Sequence, residues 1–431
     1  MNKKNVLIFP AGGENAVNIY DSLKYNLHFE LFGATSKKDY SLELYKNDHY
    51  YCGNLLISNN NFISEFNNVL SKFKIDYIIP THDVIALYLM ENESKINAKI
   101  VCSPLETARI ANSKKLIFEH IKGKFYCPII YDNVEKINKY PVFIKPDIGA
   151  GGKGATIVNS VEQLNTILKT SNNMVICQYL PGNELTVDCF TDRKGQLLFI
   201  GPRTRDRITM GISFNSKKVP LTNEIEQIAN DLNNLFKFRG AWFFQVKQDY
   251  DGNYKLMEFS VRMAGTMALY RELGINFALL SLFDAMNMDI KLLYSDLNIE
   301  LSRRLQNSYT IDYYYENVYI DFDDTIIVQN KVNTIAMQFI YQCINKNKKI
   351  ILLSKHSTDL LLDLKKFHID KSIFNEIIHL KETENKTDFI KANNSIFIDN
   401  YFKEREEVQR LKKIPVFDVD AIESLIDYSD F

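Results

Sequence analysis

The chain has 431 residues, enough for two or three compact domains with cores of their own. Its 52 basic and 53 acidic residues leave a formal net charge of −1, so it carries no electrostatic footprint for nucleic acid or for an anionic membrane, and a small soluble substrate is the better expectation. Six cysteines, Cys52, Cys102, Cys127, Cys177, Cys189 and Cys343, are scattered without CxxC pairing, several inside apolar runs, and read as reduced core residues of a cytosolic protein, not as zinc ligands.

The apolar run at residues 6–9 is too short for a signal peptide, and no apolar stretch approaches membrane-spanning length. From there strand-like runs alternate with helical patterns: strands over 5–9, 28–33 and 77–80, helices over 16–24 and 62–73. That alternation predicts a parallel α/β domain over residues 1–105. Gly12-Gly13 follows the first strand and Thr81-His82-Asp83 follows another, both where open α/β sheets bind ligands, beyond the carboxyl ends of strands. His82 stands there either as a substrate contact or as a helix cap paired with Asp83.

Between residues 106 and 305 the pattern turns to mixed α and β. Residues 141–154 run from an apolar strand ending in Lys145 straight into a loop with glycines at 149, 151, 152 and 154. Glycine lets the backbone adopt φ > 0 and lets its N–H groups approach an anion closely, while Lys145 and Lys153 add positive charge, so the segment is suited to nucleotide phosphates. Asp251-Gly252 between apolar alternations predicts a hairpin with a primed turn joining strands over 241–247 and 254–259. The hairpin brings Gln245 and Glu258 onto neighbouring strands, where their oxygens suit Mg²⁺ that also shares phosphate oxygens.

Taken in order, Ser113-Lys114, Lys145 with its loop, Gln178 to Glu184, Arg203 to Arg207, Gln245, and Glu258-Phe259-Ser260-Val261-Arg262 resemble the ATP-grasp family, specifically the group related to the carbamoyl-phosphate synthase large subunit and biotin carboxylase. The resemblance covers residues 1–305 and implies a carboxylate–amine ligase. It implies ATP contacts from Lys114, Lys145, Gly151, Gly152, Lys153 and Gly154, an adenine hinge at Gln178, Tyr179 and Leu180, and a ribose acid at Glu184. Magnesium, or manganese in its place, would be held by Gln245, Glu258 and Ser260, while Arg207 and Arg262 would stabilise the transferring phosphoryl group or clamp a substrate carboxylate. Ser260 stands where the family has a metal-binding asparagine, and a serine hydroxyl is a shorter, weaker ligand. Gln178 replaces a common glutamate, but its amide oxygen still accepts from the adenine amino group.

A polar linker over residues 306–316 precedes an apolar strand ending in Asp321-Phe322-Asp323-Asp324-Thr325. With Ser354 ending a second strand, Lys386 at a later helical start and Asp399 ending a further strand, residues 317–431 resemble a haloacid-dehalogenase-like phosphatase. The resemblance implies Asp321 as nucleophile, Asp323 as acid/base, Ser354 and Lys386 as phosphoryl holders with Lys381 a rival for the lysine role, and a Mg²⁺ site on Asp321, Asp323 and Asp399. Asn400 stands where a second aspartate is common. One helix over 332–345 fills the space between the first two strands, so the domain should lack a large cap.

The expected fold is therefore an α/β and α+β multidomain chain: an N-terminal parallel α/β domain, an ATP-grasp domain over 106–305, and a C-terminal Rossmann-like capless domain. The expected function is ATP-dependent ligation of a carboxylate to an amine or amino acid through an acyl phosphate, coupled to a Mg²⁺-dependent phosphatase. The alternatives are a small-molecule kinase, a carbamoyl-phosphate synthase-like enzyme, and a nucleotide-binding regulatory protein with a structural phosphatase-like domain. A homodimer is compatible with the sequence.

Overall fold

The computed structural model describes residues 3–38, 40–149, 151–209, 212–304 and 306–429. The chain divides into two compact units, residues 1–305 and 306–430. No helix among the described residues is long and apolar enough to cross a membrane. All six cysteines are free thiols.

The first unit opens with strands β1 (Lys4–Phe9), β2 (Phe29–Thr35), β3 (Tyr50–Cys52), β4 (Tyr77–Pro80) and β5 (Lys99–Ile100), and with helices α1 (Glu14–Leu23), α2 (Phe62–Lys72) and α3 (Asp83–Glu91). The five strands form one parallel sheet in the order β3-β2-β1-β4-β5. Val6, Leu7 and Ile8 are all fully buried, as a parallel strand covered on both faces requires. Because β1 and β4 are adjacent, the Gly12-Gly13 loop and the His82-Asp83 segment leave the same sheet edge side by side.

Helix α4 (Lys114–His120) leads into two antiparallel sheets. Strands β6 (Ile130–Tyr131), β7 (Val142–Pro146), β8 (Thr156–Val158) and β9 (Met174–Gln178) lie in the order β6-β9-β7-β8, so the lysine-ending strand β7 is central. Strands β10 (Glu184–Thr191), β11 (Leu197–Thr204), β12 (Gly240–Gln248) and β13 (Tyr254–Ser260) lie in the order β11-β10-β12-β13. Helix α5 (Asn223–Phe236) covers this second sheet. Its buried Ile225, Ile228, Ala229, Leu232 and Phe236 recur at helical spacing, Thr222 caps its first turn, and Lys237 ends it at φ 48°. The isoleucine, leucine and phenylalanine side chains among them each contribute roughly 1.5–3 kcal/mol of burial. The expected hairpin turn spans Asp249 to Asn253, where the Asp249 carboxylate accepts from the N–H groups of both Asp251 and Asn253, and only Gly252 takes positive φ.

In the second unit, β14 (Asn317–Ile320), β15 (Lys349–Ser354), β16 (Glu376–His379), β17 (Ser395–Ile398) and β18 (Val416–Phe417) form a parallel sheet in the order β16-β15-β14-β17-β18. Helices α6 (Thr334–Asn345), α7 (Leu360–Lys366), α8 (Lys386–Phe389) and α9 (Phe402–Lys412) accompany it. Between β14 and α6 there is only a small hairpin, Ile327–Val328 paired with Lys331–Val332.

The deepest charge in the first unit is structural. Arg203 on β11 and Asp188 on β10 are diagonal neighbours, 1% and 0% exposed, and form two hydrogen bonds of 2.6 and 3.0 Å. Removing one member strands the other without water. Asp188→Ala is expected to cost about 3–5 kcal/mol. Urea unfolding of the full chain followed by fluorescence of Trp242, its one tryptophan and a buried residue of the same sheet, measures this selectively in the first unit. A loss below about 1 kcal/mol would contradict the account.

Candidate active sites

A cavity of about 590 Å³ lies in the first unit, walled on one side by Gly12-Gly13 and His82-Asp83 and on the other by Lys114, Gln245, Glu258 and Arg262. Gln245 on β12 stands directly opposite Glu258 on β13, so the two oxygens share one face. Lys114 begins α4, where the Ser113 hydroxyl caps the helix and donates to Asp147 at 2.8 Å. The Lys114 Nζ is 3.6 Å from Glu258 Oε2 and donates to the Gly149 carbonyl at 2.9 Å. Lys145 ends β7 inside the protein, donating to the Met257 carbonyl at 2.8 Å, and burial pulls its pKa below the ordinary lysine value. Cation, carboxylate and glycine loop thus converge from three separate elements.

Gly151, Gly152 and Gly154 take φ of 69°, 68° and 75°. A Cβ on Gly154 would also come within 3.0 Å of the Pro146 ring, so both backbone and space require glycine there. Ala150 of the same loop lies outside the described residues. Lys153 is exposed and stands apart from the cavity wall.

The second unit gathers its charges at the carboxyl ends of its central strands. Ile320 is in register with Ile398, which sets Asp321 beside Asp399, and Ser354 ends the strand on the other side. The Lys386 ammonium, 4% exposed, lies between the two acids, 2.7 Å from Asp321 Oδ1 and 2.5 Å from Asp399 Oδ2. Burial pushes both carboxyls above the usual carboxylate range against the pull of the lysine. The same two acids outweigh burial and hold the Lys386 pKa above its ordinary value, so the lysine stays charged. The Ser354 hydroxyl is buried beside Asp321 and has no hydrogen-bond partner among the described residues. Rival Lys381 is exposed. Asn400 is exposed, with its backbone N–H donating to the Thr325 hydroxyl.

Asp323, expected at the metal, is not brought to Asp321 and Asp399. Its Oδ2 is bound instead to His356 at 2.7 Å. Among the described residues no three His, Cys, Asp or Glu side chains converge on a cation position, so a bound Mg²⁺ would rely on one or two carboxylates together with waters and phosphate oxygens.

Residues 131–193 match the family model of the carbamoyl-phosphate synthase L chain ATP binding domain, and residues 170–314 match one described as ATP-grasp in the biosynthetic pathway with Ter operon. The carbamoyl phosphate synthase arginine-specific large chain of Bacillus subtilis (strain 168) is 30% identical over 171 residues, 36% of this chain; the chain spans only 16% of that protein. The fold is similar to the biotin carboxylase domain of Hydrogenobacter thermophilus 2-oxoglutarate carboxylase, solved with MgADP and bicarbonate (TM-score 0.56, 15% identity, 68% of this chain and 71% of that one). It is also similar to an L-amino acid ligase from Bacillus licheniformis (TM-score 0.53, 16% identity, 68% and 75%). The first unit has the ATP-grasp fold.

Several residues singled out in the sequence occupy other places in this ATP-grasp unit. Arg207 is exposed on a short segment, stacked 5.3 Å from the Phe214 ring and outside the cavity, because the strand ends at Thr204 and the chain turns away. Arg203 and Arg205 are the guanidiniums of that stretch that line the cavity, Arg203 paired with Asp188 and Arg205 2.6 Å from Glu184 Oε1. Glu184 is therefore already engaged by a cation. Gln178, the last residue of β9, gives its amide oxygen to the Ile129 backbone N–H at 3.2 Å, Tyr179 packs edge-on to Tyr250, and Leu180 is buried; all three stand outside the cavity wall.

Ser260 has a role that spacing did not reveal. Its hydroxyl donates to Asp83 Oδ1 from the first sheet, and Asp83 Oδ2 accepts from Arg262 Nε at 2.9 Å. One aspartate thus ties together the Ser260 and Arg262 side chains of the Glu-x-Ser-x-Arg segment. His82 beside it lines the cavity and makes no cap hydrogen bond; partial desolvation, with Arg262 nearby, lowers its pKa.

If Ser260 is a clamp, Ser260→Ala should loosen the first unit by about 1–2 kcal/mol in the Trp242 assay while Mg²⁺-dependent ADP affinity, read by calorimetry, changes less than about twofold. A tenfold loss of affinity without loss of stability would make the serine a metal ligand instead.

Proposed function

We propose that residues 1–305 join a carboxylate to an amine or amino acid at the expense of ATP, through an acyl phosphate, and that residues 306–430 remove a phosphoryl group from a phosphorylated substrate or product. The observation that carries the first half is the convergence of Lys114, Glu258, Gln245 and the glycine loop beside a cavity that continues past them to Gly13, Asp83 and Arg262. A nucleotide-binding wall with that much further space suits a second and a third reactant.

The donor set fits the absent groups. The φ > 0 glycines and Lys114 and Lys145 suit phosphates, and the paired Gln245 and Glu258 oxygens suit Mg²⁺, with Mn²⁺ as a substitute. ATP, when bound, supplies the γ-phosphoryl group. Lys114 and Lys145 would hold its charge, and Arg205 and Arg262 would take the charge that develops as a substrate carboxylate oxygen bonds to the γ-phosphorus while the bond to the β-phosphate oxygen breaks and ADP leaves. A neutral amine then attacks the carbonyl carbon, the bond from that carbon to the phosphate oxygen breaks, phosphate leaves and the amine proton passes to solvent. The resemblance to the Bacillus licheniformis amino acid ligase supports the choice of a carboxylate–amine reaction.

For the second half, the buried Ser354 hydroxyl without a partner and the buried Lys386 are suited to phosphoryl oxygens, and Asp321 lies beside both. Asp321 would bond to phosphorus as the ester P–O bond breaks, with the leaving oxygen taking a proton from Asp323. A water then attacks phosphorus, the P–O bond to Asp321 breaks to release phosphate, and the water's proton returns to Asp323.

The two activities separate by mutation. Lys145→Ala and Glu258→Ala in the full chain should lower ADP release by at least about 10³-fold while p-nitrophenyl phosphate hydrolysis is retained. Asp321→Asn should do the reverse, with a loss of similar size in ester hydrolysis. ADP release unchanged in Lys145→Ala would contradict the ligase assignment, and ester hydrolysis unchanged in Asp321→Asn would contradict the phosphatase assignment.

A further inference from the structure

Two residues beyond Ser354, in the loop after β15, His356 is held on every side. Its Nδ1 is 2.7 Å from Asp323 Oδ2 and its Nε2 is 2.7 Å from Asp363 Oδ2 on α7. Thr358 Oγ1 lies 2.8 Å from the same Nε2 and donates to Asp363 at 2.6 Å. The imidazole edge meets Phe322 with ring centroids 5.2 Å apart at 84°, and the His356 carbonyl accepts from His379 Nε2 at 2.7 Å. With a carboxylate on each ring nitrogen, both nitrogens donate. The ring itself is 8% exposed.

We propose that His356 is the positioning residue that aims Asp323 for proton transfer, an inference that rests on the phosphatase reading of this unit. Asp323, two residues past Asp321, is otherwise a half-exposed side chain, and His356 is its one side-chain anchor among the described residues. His356 takes Oδ2, and Oδ1 makes no hydrogen bond among the described residues, so that oxygen is the one open to the leaving group. A general acid must sit within hydrogen-bond reach of the atom it protonates, and an untethered aspartate pays rotamer entropy for that placement at every turnover. Asp363 and Thr358 give the imidazole a fixed second attachment, so the aspartate is tied to α7 and not to another mobile side chain. The step is unchanged in its balance: Asp323 gives its proton to the leaving oxygen and regains one from the attacking water, while His356 keeps its own protons.

The test compares two phosphate esters that differ in leaving group. Phenyl phosphate needs protonation of its leaving oxygen far more than p-nitrophenyl phosphate does. In the full chain, His356→Ala should lower kcat on phenyl phosphate about 10–100-fold more than on p-nitrophenyl phosphate, with KM for each ester little changed. In an Asp323→Asn background the same substitution should add almost nothing, since the residue acts through that aspartate. His356→Gln keeps one donor and should recover part of the difference; it serves the same comparison if a thermal melt shows His356→Ala unfolded. Equal losses on both esters, or losses that add to those of Asp323→Asn, would overturn the inference and leave the phosphatase reading standing. No hydrolysis of either ester by the wild-type chain would overturn both.

Discussion

A charge taken out of water must meet an opposite charge, a polar group or a bound ion, and both sites in this chain are built on that constraint. In the first unit Lys145 is buried against a backbone carbonyl and Lys114 against a carboxylate and a carbonyl. In the second, Lys386 is buried between two acids that would otherwise repel each other. Such arrangements are poor investments for stability alone, since apolar side chains would fill the same volume without the desolvation cost. They make sense where an anion with several oxygens can enter and take over the pairing. The Arg203–Asp188 pair is the useful contrast. It is as deeply buried, but its two charges are already matched one to one through two hydrogen bonds, with Ser216 accepting a third from Arg203.

Sheet architecture delivers those charges. In both parallel sheets the strands end together, so the residues just past them line up within one strand spacing, and register alone sets Asp321 beside Asp399. The antiparallel pair β12 and β13 does the same for Gln245 and Glu258. The apolar runs on either side, buried on both faces, are what hold the registers.

Elements with strong local patterns were legible from the sequence: the alternating strands and helices of residues 1–80, the strand and glycine loop at 141–154, and the strands that end in Asp321, Ser354 and Asp399. These depend on period, glycine and burial, which are properties of neighbouring residues. The side-chain pairings were not legible, because each joins residues far apart in the chain. Asp83 reaches Ser260 and Arg262 across more than a hundred residues, and this recasts Ser260 as a clamp where spacing alone suggested a weak metal ligand. Arg205 and Arg207 are equivalent by alternation; only the end of β11 and the turn that follows decide that Arg205 faces the cavity. His356 carried one signal, its position two residues past Ser354, and its partners Asp323 and Asp363 became visible only in three dimensions.

The proposed reaction activates a substrate carboxylate in the first unit by transfer of a phosphoryl group and then captures it with an amine. Acid and amine pairs that stimulate ADP release provide the substrate, and the acid can then be supplied with ¹⁸O in its carboxylate. Acyl phosphate chemistry carries one labelled oxygen into the released phosphate, with mass spectrometry finding the new C–N product in equal amount to ADP. ADP release with unlabelled phosphate and no C–N product would contradict the account.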